Sequence, residues 1–383
     1  MSSTFIDRSE QTNWEDETTM EIIAVRARRR EIQIPNKWTR KRPRYLGALA
    51  VLVFATAIAP AQHNRNPACA CEIPNGPPNP HPYLVGYLGV YRPADWVALA
   101  KTLDFTRMTH LNLAFINPPL CIGPCTAQSD MTLHANPSFT DDALKIIVDA
   151  AHAHGTKVLA SLGGDKGDSR YMQFYNAGLS DQIADAVDAY VKKHNLDGVD
   201  VDIESPDQMG VPYTQFVNAL ASRLHPEGKL VTAAVAQYIQ AGVQDQVLQQ
   251  FDIINVMIYG GYDRSVADMA WWVKNEHIPK DKLTLGIGFH NYSAILAAYP
   301  NAWAVDTVGG GTFRNGAVMN YQGEATVAKL TQLSAQYGGA MIWELSQDDP
   351  SSPHSLLKVI QKNLDPSTPR IPIVTPSRGG DGD

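Results

Sequence analysis

Leu196-Asp197-Gly198-Val199-Asp200-Val201-Asp202-Ile203-Glu204 is the stretch on which the reading of this chain turns. Val199, Val201 and Ile203 alternate with Asp200, Asp202 and Glu204. A β-strand turns successive side chains to opposite faces, so the three acids share one face and the three apolar residues the other. In a flat sheet covered by helices a row of acids has no place. In a closed barrel the valines meet the outer helices, and the acids climb the inner wall towards the C-terminal mouth, where barrel enzymes hold their chemistry.

Three stacked carboxyls cannot all ionise cheaply, because like charges and partial burial both raise a carboxyl pKa. One of them is therefore expected to keep a proton near neutral pH. Glu204 lies nearest the mouth and reaches furthest, which makes it the candidate general acid/base; Asp202 beside it and Asp200 below are its partners. Two plainer readings compete. A divalent metal on the Asp-x-Asp pair would need turn geometry and several oxygen ligands, not β-branched residues between the acids, so no metal is assigned. A solvated face of an ordinary strand conflicts with the poor strand propensity of Asp at closely spaced positions.

Besides the acidic strand, strands are predicted at Leu84–Leu88, Thr109–Ile116, Lys157–Gly164, Lys229–Ala236, Ile253–Tyr259, Leu283–Phe289 and Ala340–Leu345. Helices are predicted at Pro93–Leu103, after the capping pair Thr140-Asp141 as far as His154, and at Ser180–Lys193. Further amphipathic stretches are Tyr213–Leu224, Val243–Gln250, Val266–Asn275 and Ala325–Tyr337. Strand and helix alternating through residues 83–364 predict an α/β fold, a single (β/α)8 TIM barrel. A doubly wound open sheet is disfavoured because no glycine-rich phosphate loop follows the first strand.

The flanks read differently. Residues 62–82 are rich in Pro and Asn, a linker composition, and residues 365–383 are Pro, Ser and Gly rich, a tail expected to be disordered. Residues 1–61 combine a basic segment, including Arg26, Arg28, Arg29, Arg30, Lys41 and Arg44, with an uncharged run from Leu46 to Ala59. That run suits a signal-peptide core better than a membrane span, with Ala59-Pro60-Ala61 as a cleavage signal. Export is the expectation, with no membrane association once the leader is cleaved. An uncleaved anchor formed by residues 46–59 is the alternative.

Of 383 residues, 44% are hydrophobic and 19% charged, and the net charge of −7 argues against a nucleic-acid partner. Cys69, Cys71, Cys121 and Cys125 do not have zinc-site spacing. In an oxidising compartment Cys121 and Cys125 would close a short loop worth about 2 kcal/mol, whereas a bond between Cys69 and Cys71 is sterically doubtful.

Asp197-x-x-Asp200-x-Asp202-x-Glu204 resembles the DxxDxDxE signature of the family 18 glycoside hydrolases, which include chitinases and endo-β-N-acetylglucosaminidases; all four acids match. Ser161-Leu162-Gly163-Gly164 resembles the family's SxGG motif, Met257-Ile258-Tyr259 its MxY motif, and Gly339–Glu344 its last strand, with Trp343 as the floor of the sugar site. Gly260 departs from the Asp often found after the Tyr; Asp263 is near enough in sequence to substitute. The resemblance implies a substrate-assisted, retaining hydrolysis without cofactor. Glu204 would be the proton donor, Asp202 would orient the acetamide, and Tyr259 would bond its oxygen. Asp197 and Asp200 would support the acids from below, with Ser161, Gly163 and Gly164 as structural support. Tyr87, Phe115, Met257, Trp343 and Gln237 would contact sugar. It further implies non-proline cis bonds after Ala114 and Trp343. Chitin or chito-oligosaccharide is the expected partner, and a monomer the expected state. The stretch from His290 to Gly339 is too short for the α+β insertion of deep-cleft chitinases, which favours an open groove and internal cutting.

Overall fold

The computed structural model describes residues 77–365 and 367, apart from 166, 206–208, 237–244, 305–310, 313–317 and 320. Eight parallel strands close a barrel: β1 (Tyr83–Gly89), β2 (His110–Ala114), β3 (Lys157–Gly163), β4 (Gly198–Asp202), β5 (Leu230–Val235), β6 (Ile254–Val256), β7 (Leu283–Gly288) and β10 (Gly339–Trp343). β1 pairs with β2 on one side and β10 on the other, so the eighth barrel strand completes the ring. β8 (Gly311–Thr312) and β9 (Val318–Met319) form a separate antiparallel pair outside it. Among the described residues between β7 and β10 there is no inserted α+β domain.

Helices follow the strands as the apolar periodicity requires. Thr140 accepts a hydrogen bond from the Ala143 amide to cap α2 (Asp141–His152), whose Leu144, Ile147, Val148 and Ala151 are buried against the barrel. α4 (Ser180–Lys193) buries Ile183, Ala184, Val187 and Val191 in the same way. α1 (Trp96–Thr102) starts later than its sequence suggests, because Asp95 caps it. The remaining helices are α3 (Asp168–Asn176), α5 (Val211–Leu224), α6 (Asp245–Leu248), α7 (Tyr262–Asn275), α8 (Tyr292–Ala298), α9 (Glu324–Ser334) and α10 (Leu356–Leu364). α3 was not expected: Asp168-Ser-Arg-Tyr-Met-Gln-Phe-Tyr-Asn has only Tyr171, Phe174 and Tyr175 as its apolar face, a weak signal that burial nevertheless satisfies.

Alternation along β4 divides its side chains as expected. Val199, Val201 and Ile203 are fully buried in the outer core between strands and helices. Asp200 and Asp202 face inward, where Val85, Tyr87, Ala114, Ala234 and Met341 form a small second core inside the barrel. Cys121 and Cys125 are joined by a disulfide in the loop after β2. Cys69 and Cys71, the basic segment and the apolar run Leu46–Ala59 lie outside the described residues, among which no helix is long and apolar enough to cross a membrane.

Candidate active site

The parallel register sets Ser161 of β3 and Thr232 of β5 on either side of Asp200. Asp200, fully buried, accepts hydrogen bonds from Thr232 Oγ1 (2.7 Å), Tyr87 Oη (2.7 Å), Ser161 Oγ (2.9 Å) and Asn255 Nδ2 (3.2 Å). Asn255 is held in turn by Thr284 Oγ1, which donates to its Oδ1 at 2.7 Å. A buried polar network is favourable only when its members are satisfied, and this carboxylate has four donors. Burial raises the Asp200 pKa, and the four donors pull it back.

Asp202 is different. It is 3% exposed, and its Oδ1 has no hydrogen-bond partner among the described residues. Burial, then the charges of Glu204, Asp200 and Asp168, all push its pKa well above the ordinary carboxyl value. Asp202 therefore holds a proton to higher pH than Asp200 does. Glu204, just past the end of β4 and half-buried, has its pKa pushed up to about 7, first by burial and then by Asp168 and Asp165; a backbone hydrogen bond from Asp165 opposes the rise. A carboxyl held by four donors at the foot, one with a strongly raised pKa above it and one titrating near neutrality at the mouth form an arrangement that can donate and recover one proton.

Glycines and aromatic rings shape the space over these acids. Gly163 and Gly164 have φ of 101° and 80°, in the left-handed region. A Cβ on Gly163 would lie 2.3 Å from the Asp202 carbonyl oxygen, and one on Gly164 2.4 Å from the Phe115 ring. Phe115 stacks on Trp343 (5.7 Å between centroids), which also packs on Tyr87 (5.6 Å). The bonds Ala114–Phe115 and Trp343–Glu344 are both cis. Met257 and Tyr259 border the same inner cluster, and the Tyr259 ring meets His290 edge-on at 5.4 Å.

Not every expected residue joins this group. Asp197 does not prop the acids: its side chain has the opposite parity to Asp200, and its Oδ2 instead accepts the Val158 amide (2.7 Å) and lies 2.8 Å from His152 Nε2. It ties β3 and α2 to the start of β4. Asp263 is exposed in the first turn of α7, while the carbonyl of Gly260 is taken by Gln322 Nε2 at 2.6 Å. Gln237 lies outside the described residues. Conversely, Thr232, Asn255 and Thr284 were overlooked, although each is a lone polar residue at an inward position of an apolar strand. Asp168 was also missed. It is 4% exposed at the first position of α3, and its Oδ2 accepts from the Glu204 amide and from Ser205 Oγ, both at 2.8 Å. At the other end of the barrel a cavity of about 380 Å³, lined by Tyr83, Arg107, His110, His154 and Lys157 among others, contains none of these residues.

The family model described as Glycosyl hydrolases family 18 matches residues 83–348. Similar solved structures include the GH18 chitinase ChiB from the chitin utilization locus of Flavobacterium johnsoniae, 27% identical with a TM-score of 0.61, covering 74% of this chain and 94% of that one. A chitinase from Bacteroides thetaiotaomicron is 23% identical with a TM-score of 0.62, covering 75% and 97% of the two chains. The fold is shared too by a chitinase-like agglutinin from Robinia pseudoacacia, 17% identical with a TM-score of 0.56, covering 73% of this chain and 99% of that one. Among curated proteins, a chitinase-like effector of Moniliophthora perniciosa is 39% identical over 115 residues, 29% of this chain. The match spans 24% of the effector's length.

Proposed function

This chain belongs to glycosyl hydrolase family 18, and from that premise we propose that it is an exported chitinase, cutting β-1,4 bonds between N-acetylglucosamine units within the polymer. The observation that carries the proposal is Asp202: a buried carboxyl with an unpartnered oxygen, next to a Glu204 that titrates near neutrality. An unmade hydrogen bond at a buried carboxyl is costly, and a substrate amide is a group that would complete it. In this mechanism Glu204 protonates the glycosidic oxygen. The acetamide oxygen of the same sugar attacks its anomeric carbon, so that the C–O bond to the leaving chain breaks as the oxazolinium ring closes. Asp202 accepts the acetamide N–H and stabilises the charge that develops on it, while Tyr259 donates to the acetamide oxygen. Glu204, now ionised, takes a proton from the water that opens the ring, with net retention. Trp343 and Phe115 supply the apolar floor. The chain's signal-like residues 46–61 and the disulfide after β2 support export.

The test is hydrolysis of a fluorogenic chitobioside, with colloidal chitin, a high-mannose glycoprotein and bacterial cell wall digested in parallel. Turnover lost in Glu204→Gln with sugar binding retained is the expected result; near-normal turnover in that variant contradicts the assignment. Release from chitin of disaccharide from chain ends alone contradicts internal cutting. A second reading, a chitin-binding protein without turnover, draws on the local likeness to the chitinase-like effector. It predicts binding by the wild type without hydrolysis of any of the four substrates.

A further inference from the structure

We propose that Asp168 is a positioning residue for Glu204, clamping the backbone at the end of β4 while its buried charge holds the proton on the Glu204 carboxyl. The inference rests on the hydrolase reading for its consequence, though not for its geometry. Asp168 reaches across from a different βα unit. It opens α3, the nine-residue helix after β3, and its Oδ2 takes both the amide of Glu204 and the hydroxyl of Ser205 at 2.8 Å. The two bonds set the direction in which the chain leaves β4, and so the direction in which Glu204 points.

Its surroundings make the charge effective. Asp168 is 4% exposed, and its Oδ1 has no partner among the described residues. Among the described residues, the titratable groups that face it are acids or phenols: Asp165 from the loop after β3, Asp202 and Glu204 from β4 and its end, and Tyr213 from α5. Arg170, two residues on, is turned away to donate to the Pro118 carbonyl. Among the described residues no cation forms an ion pair with Asp168, so none of them screens its charge from Glu204. The helix N-terminus and the two donors favour the ionised form, against a burial that lifts the Asp168 pKa to about 6. Above that pH the group is charged, in the range where Glu204 must still hold its proton.

Asp168→Asn keeps the acceptor oxygen, and with it both hydrogen bonds, but removes the charge. The experiment titrates the Glu204 side chain by ¹³C-carboxyl NMR, its signal identified by its absence in Glu204→Gln, and follows kcat/KM on the fluorogenic chitobioside across pH. In Asp168→Asn the Glu204 midpoint and the alkaline limb are expected to move about one pH unit towards acid. Ser205→Ala leaves Asp168 in place but removes one donor to its ionised form. It should shift the midpoint the same way by less, and it serves if the Asn variant does not fold. A merely structural Asp168 would lower thermal stability and rate without moving the midpoint; an unmoved or raised midpoint overturns the proposal. If the wild type turns over no substrate, the hydrolase reading falls, and the NMR midpoints still decide the role of Asp168.

Discussion

Glu204→Gln should make the folded protein more stable at alkaline pH, by an amount that grows across a defined pH window. In the folded chain the Glu204 pKa is pushed from 4.5 up to about 7, chiefly by burial. A carboxyl whose pKa is higher folded than unfolded binds its proton more tightly in the folded state. The wild type therefore loses stability as pH climbs through 4.5 and has lost the full amount above 7. The rise from 4.5 to about 7 corresponds to about 3 kcal/mol, shared among Glu204 and the acids coupled to it. Glutamine has no proton to release, and its amide oxygen can still accept the Asp165 amide, so the packing is kept. Urea unfolding of both proteins at pH 4.5 and pH 8 gives the comparison. At pH 4.5 the two should agree closely; at pH 8 the variant should be more stable by about 2–3 kcal/mol. An equal difference at both values, or a less stable variant at pH 8, would show that the site does not hold its acid at the expense of stability.

Gly164→Ala should cost about 1–3 kcal/mol of stability and most of the activity, because the new methyl has to displace the Phe115 ring from Trp343; melting temperature and kcat/KM check both effects. Replacing Cys121 and Cys125 by Ser should lower stability by about 2 kcal/mol while leaving kcat unchanged, since the bond closes only a short loop and neither cysteine hydrogen-bonds an acid of the site among the described residues; chemical unfolding and steady-state kinetics read the two quantities.

The legible and illegible parts of this fold separate on physical grounds. β4 could be read because its alternation is strict and its polar face is acidic, a pattern that only an inner wall accommodates. α2 and α4 could be read because their apolar residues recur at helical spacing. α3 could not, since three aromatics among polar residues resemble a loop until the barrel supplies something to pack against. Within the site, Asp202 and Glu204 follow from spacing along one strand. Asp200's donors on β5 and β6 follow only from strand register, which pairs residues far apart in sequence. Asp197 belongs with the other three acids only as a motif; parity along the strand already sets it on the other face. Asp168 left no readable signal: an Asp after Gly-Asp-Lys-Gly reads as a turn or helix start, and its contact with Glu204 exists only when β3 and β4 lie side by side.

If the protein lends a proton while the sugar's own amide attacks, the acetyl group is indispensable at the cleaved unit. The most direct measurement compares two chito-oligosaccharides that differ only at the unit bearing the cleaved bond, one acetylated and one a free amine. The first should be hydrolysed and the second left intact at that bond; sustained cleavage of the deacetylated one would rule out attack by the sugar's amide.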